Sequence, residues 1–76
     1  MARLAPFAAK VCMSIEEMMR AIYDREANII IESFWDAGYC FSIGDETNGI
    51  SDCEDFFDFR RGVEWLYDEI VVKGDI

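Results

Sequence analysis

Histidine is absent from this 76-residue chain, and proline occurs once, at Pro6. Without histidine the chain cannot assemble a Ser-His-Asp or Cys-His couple within itself, which removes the commonest nucleophilic machinery. Cysteine is scarce and scattered. Cys12, Cys40 and Cys53 form no CxxC pair, so ligand spacing for a transition metal is missing, and three thiols cannot all pair internally. Positive charge is also scarce: seven Lys and Arg stand against sixteen Asp and Glu, for a net charge of −9. Phosphate backbones are held by clustered bases, and the one adjacent basic pair, Arg60-Arg61, follows Glu54, Asp55 and Asp58. Direct nucleic-acid binding and attachment to anionic membranes are therefore disfavoured. No stretch approaches the roughly 20 apolar residues of a membrane span. The start, MARLAPFAA, has one base and too short an apolar run for a secretory signal. With unpaired thiols, this leads us to expect a reducing, cytoplasmic location.

What is present is apolar surface. Of all residues 53% are hydrophobic and 14% aromatic, whereas a chain of this size buries only roughly 60% of its unfolded surface. Apolar groups left outside usually mark contacts, so a homodimer or another protein partner is expected. Residues 1–12 read as an N-terminal segment, disordered or adding an edge strand from Phe7 to Cys12. Residues 13–76 read as a single α+β domain.

Local signals order that domain. Ser14 and Glu17 have the spacing of a capping box, with Met13 and Met18 at the staple positions. Ile15, Met18, Met19, Ile22 and Tyr23 then repeat at helical spacing, predicting a helix over 15–27. Asn28 punctuates, and the run Ile29-Ile30-Ile31 changes the period to two. A three-residue turn Asp36-Ala37-Gly38 would set Trp35 opposite Tyr39, Ser33 opposite Phe41 and Ile31 opposite Ile43. This register gives one apolar face, which a one-residue slip would lose, and it places Gly38 where the turn needs a positive φ. A second three-residue turn, Thr47-Asn48-Gly49, would pair Glu46 with Ile50 and set Cys53 opposite Ile43, whereas a four-residue closure would put Asp52 and Glu54 on the aromatic face. It predicts a short third strand over 50–54. Asp58 then caps a last helix whose stripe is Phe59, Val63, Leu66 and Ile70, widened by Trp65 and Tyr67 and stopped after Lys73 by Gly74. The fold expected is helix, two- to three-stranded antiparallel meander, helix (α-β-β-(β)-α), with both helices on one sheet face. Trp35, Tyr39, Phe41, Phe59, Trp65 and Leu66 should form its core.

The acidic turn invites a calcium loop, and the spacing refuses it. With Gly49 at loop position 6, Glu46, Asn48 and Asp55 fall at positions 3, 5 and 12, but position 1 is Gly44, which has no side-chain ligand. G-D-E-T-N-G also lacks the lysine and following helix of a phosphate loop. Cys40 reads as a packing residue. Carboxylate pairs such as Asp45 and Asp52 lack a deep pocket to tune them. We expect no catalytic residues, no metal and no cofactor.

The segments W-D-A-G and S-I-G-D-E-T-N-G, followed by V-E-W-L, resemble a pattern in small uncharacterised bacterial α+β proteins. The resemblance covers residues 30–67 and departs from the pattern at Phe56 to Arg61. It implies an α+β hairpin domain and carries over no functional residue. The function expected is a non-catalytic protein–protein interaction module, homodimeric, with its surface centred on Ile30, Phe34 and Ile50. These lie on the second sheet face with Glu32, Cys40 and Ser42, where an apolar patch with a polar rim suits a partner; coverage by the first twelve residues is the other reading. The alternative function is an acidic decoy that fills the basic groove of a nucleic-acid-binding protein. It would use Asp45, Glu46, Asp52, Glu54, Asp55 and Asp58, and steer its partner electrostatically.

Overall fold

Ser14 opens the first helix as its spacing predicts: its Oγ accepts the Glu17 backbone N–H at 3.1 Å, and Glu17 Oε1 accepts the Ser14 N–H at 2.8 Å. A computed structural model of the chain describes residues 12–75; the readings placed on 1–11 lie outside the described residues. Helix α1 runs Ile15–Asp24, strand β1 Ile29–Phe34, β2 Gly38–Asp45, β3 Gly49–Phe56 and helix α2 Phe59–Tyr67. The strands form one antiparallel sheet in the order β1-β2-β3, and the helices pack on one side of it. This is the α+β arrangement expected, with the third strand present and longer than predicted. Helix α1 ends three residues early, where Glu26 takes a positive φ of 57°. No helix among the described residues is long and apolar enough to cross a membrane.

The sheet keeps the predicted inward face but not the predicted register. Ile29 pairs with Ile43, Ile31 with Phe41, Ser33 with Tyr39, and Phe34 with Gly38. The turn is Trp35-Asp36-Ala37, closed by the Ala37 N–H donating to the Phe34 carbonyl at 3.2 Å. Gly38 follows with φ 87°. Each β1 residue thus faces a β2 residue two positions earlier than expected. A two-residue slip leaves every side chain on its original face, which is why alternation alone could not detect it.

The second turn corrects the reading of β3. Asp45 pairs with Gly49 and Gly44 with Ile50, but Ile43 pairs with Asp52, so Ser51 is an extra residue in a bulge. Its Oγ donates to the Ile43 carbonyl at 3.3 Å. Beyond the bulge Cys53 faces Ser42 rather than Ile43, and Asp52 and Glu54 share the helix-bearing face with Ile43 and Phe41. Both acids remain exposed.

The buried core is Met18, Ile22, Phe41, Val63, Leu66 and Val71. Aromatic rings extend it: Phe59 stands edge-on to Tyr39 with centroids 5.2 Å apart, and Phe56 edge-on to Phe41 at 5.8 Å. Trp65, Tyr67 and Ile70 pack around this cluster half-buried. Past Tyr67 the helix widens into a π-turn over Asp68–Val72, in which the Lys73 N–H donates to the Asp68 carbonyl. The added residue per turn places Val71, five residues after Leu66, in the buried position expected for Ile70. Arg60 joins the two helices, its Nη2 donating to the Met13 carbonyl at 2.7 Å and its Nε to Glu64 at 3.0 Å. Two residues assigned to apolar faces stand outside: Tyr23 and Trp35. Trp35 lies in the turn instead of opposite Tyr39, so nothing covers its ring.

Candidate functional site

The face of the sheet turned away from the helices carries even-numbered side chains from β1 and β2. The register sorts them into rows. Ile30, Ser42 and Cys53 form one row, and Glu32, Cys40 and Asp55 the next. Beyond that, Phe34 pairs with Gly38, and Phe57 lies against Gly38 so closely that a side chain there would meet its ring. At the other end Gly44 pairs with Ile50.

Ile30, Phe34 and Ile50 therefore share a face, as the alternation predicts, but not one patch. Phe34 lies about 13 Å along the strand from Ile30, with Glu32 between them, and Ile50 occupies the opposite corner. Phe34 instead joins two residues that sequence reasoning missed. Phe34, Trp35 and Phe57 are 48%, 97% and 85% exposed, and all three stand at the β1–β2 turn end of the sheet. Beside Phe34 opens a cleft of about 250 Å³, lined by Phe34, Ala37, Tyr39 and Asp55. Ligand pockets usually run roughly 300–1,000 Å³, so this cleft suits one side chain more than a small molecule.

Charge on the sheet is of one sign. No Lys or Arg occurs between Arg25 and Arg60, an interval that contains all three strands. That gap was legible in the sequence and would have marked the sheet as wholly anionic. Arg60 and Arg61 begin α2, on the other face.

The six acids proposed as one surface are not brought together. Asp45 is tied into the fold, accepting from Asn28 Nδ2 at 2.6 Å, the Asn48 N–H at 2.6 Å and Asn48 Nδ2 at 3.1 Å. These bonds, the Asn48 backbone N–H foremost, hold its carboxyl below the usual carboxylate range. Asp58 caps α2, its Oδ1 accepting the Arg60 N–H at 3.0 Å. Asp52 and Glu54 lie on the helix-bearing face and Asp55 on the opposite one. Glu46 is exposed in the turn.

Cys40 lies in the central strand, paired with Asp55. Burial pushes its thiol up, and the adjacent Asp55 carboxylate raises it further by accepting its hydrogen bond. A raised thiol carries less of the reactive thiolate. Among the described residues no group of His, Cys, Asp and Glu is arranged to hold a metal ion. A second shallow groove, about 360 Å³, runs along α1 between Glu16, Met19, Arg20 and Tyr23.

No protein-family model, curated protein or solved structure matches the chain. The geometry of the molecule is thus the whole basis for a functional reading.

Proposed function

We propose that the protein is a non-catalytic protein–protein interaction module that engages its partner through the turn end of the sheet face turned away from the helices. The observation that carries this reading is the exposure of Phe34, Trp35 and Phe57 together at one end of the fold. Large aromatics supply much of the energy at protein interfaces, and grouped apolar exposure costs solubility without adding stability. The absence of histidine and the raised Cys40 thiol support a non-catalytic role.

Composition favours a second copy as the occupant, but the charge argues for a different protein. Pairing this face with itself would bring Glu32 and Asp55 of both copies to one seam, and like charges there cost affinity. The decoy reading draws support from the base-free interval, and loses some of it because Asp45 and Asp58 are occupied within the fold.

Affinity capture from the native lysate tests the proposal, with the wild type compared against a Phe34→Ser, Trp35→Ser, Phe57→Ser variant. The wild type should retain a partner at 0.5 M salt, where the Debye length shrinks to roughly 4 Å, and the variant should lose it. Equal retention by both overturns the assignment; a wild-type complex that falls apart in salt favours the decoy.

A further inference from the structure

We infer that the cleft at the turn end receives a lysine or arginine side chain from a basic polypeptide segment, whose apolar residues cover Phe34, Trp35 and Phe57. The inference rests on the reading of this end as a binding surface and adds the chemistry of its occupant.

The cleft joins two kinds of wall. Phe34 and Ala37 give it apolar walls and Asp55 a carboxylate, while the ring of Tyr39, which also borders it, packs against Phe59 on the helix-bearing face. A long basic side chain matches both, because its methylene stem lies along apolar surface while its charged head reaches a polar group. An aromatic ring beside the path also attracts the cation directly. An acidic segment offers no such match, because its charge would meet Asp55 as a like charge.

Three neighbouring features extend it. Glu32 shares a row with Asp55 across Cys40, so a second base on the segment meets a second acid. Asp36 adjoins Trp35 in the turn. No strand residue supplies a competing cation, since Lys and Arg are missing from Arg25 to Arg60. The partner is thus recognised by alternating basic and apolar side chains.

The probe is the capped pentapeptide Leu-Lys-Leu-Lys-Leu, titrated into the isotope-labelled full chain and followed by amide shifts. Saturable shifts should cluster at Phe34, Ala37–Cys40 and Asp55, and the Leu-Gln-Leu-Gln-Leu peptide should leave them unmoved. Asp55→Asn should weaken binding roughly fivefold, the equivalent of one surface ion pair. Asp52→Asn removes the same charge from the helix-bearing face and should leave affinity unchanged. Shifts spread over all the acids, or equal weakening by Asp55→Asn and Asp52→Asn, would overturn the cleft in favour of diffuse attraction. Equal binding of the glutamine peptide would overturn the cationic occupant. In either case the aromatic surface is judged separately, by the serine variant above.

Discussion

The ring of Phe41 lies directly on the backbone of α2 at Gly62, where any side chain would overlap its Cδ1, Cε1 and Cζ atoms. This contact seats α2 on the central strand, and it explains a glycine inside a helix at a cost of roughly 1 kcal/mol in propensity. Gly62→Ala should recover that propensity and still destabilise the fold by about 2 kcal/mol net, because overpacking a close-fitted core outweighs it. Urea denaturation measures the difference; a more stable Gly62→Ala protein would mean that ring and helix are not in contact.

The bulge between β2 and β3 depends on Gly44. Its φ is 123°, and a side chain there would run into the Gly49 carbonyl. Gly49 has a φ of 95° with open space around it. Gly44→Ala should therefore cost about 3 kcal/mol and Gly49→Ala about 1, from backbone strain with and without a clash. For a chain this size the first is a large share of total stability. Denaturation midpoints in the reverse order would contradict the bulge geometry.

Asp45 links the α1–β1 junction to the second turn, and its carboxyl is depressed by the hydrogen bonds it accepts. A group whose folded value lies below its unfolded value contributes stability above the unfolded value, about 3.9 for Asp. That contribution is lost as pH falls through the depressed folded value. Asp45→Ala should thus be less stable than the wild type at pH 6, and the gap should close as both are taken toward pH 2. A gap independent of pH would show that the charge of Asp45 plays no part.

Trp35 is fully outside the core, whereas Trp65 is half-buried beside Phe56 at 6.1 Å between ring centroids. Trp35→Ser should change stability by no more than about 0.5 kcal/mol, against roughly 3–5 for a core aromatic truncated to Ala. In a Trp65→Phe protein the remaining emission should be that of an indole in water and open to iodide quenching. A blue-shifted, protected emission would return Trp35 to the core.

The helices and the sheet face were legible because their signals are local. Ser14 and Glu17 announce a cap within one turn, and Ile29, Ile31, Phe41 and Ile43 alternate along their own strands. The register was not legible, since moving Ile31 from Ile43 to Phe41 preserves every inside–outside assignment. Trp35 was misplaced for the same reason: it continues the odd-numbered inward series and belongs to the turn. The bulge at Ser51 puts Asp52 and Glu54 on the helix-bearing face, an outcome that the preference for an apolar face argues against because both residues are acids. The site followed the register. Ile30, Phe34 and Ile50 were correctly placed on one face, but only the pairing of Phe34 with Gly38 brings Phe34 beside Phe57. The base-free interval from Arg25 to Arg60 is readable in the sequence and includes the first two strands as well as the acidic stretch from Asp45 to Asp58.

Site-specific photo-cross-linking in the native cells tests the central claim most directly. A photoreactive side chain is placed in turn at positions 34, 35 and 57, and at Tyr23, which is 82% exposed on α1. The account predicts cross-links to one basic partner from the three turn-end positions and none from position 23. Cross-links from position 23 alone, products of two copies of this chain, or none from the turn end would contradict it.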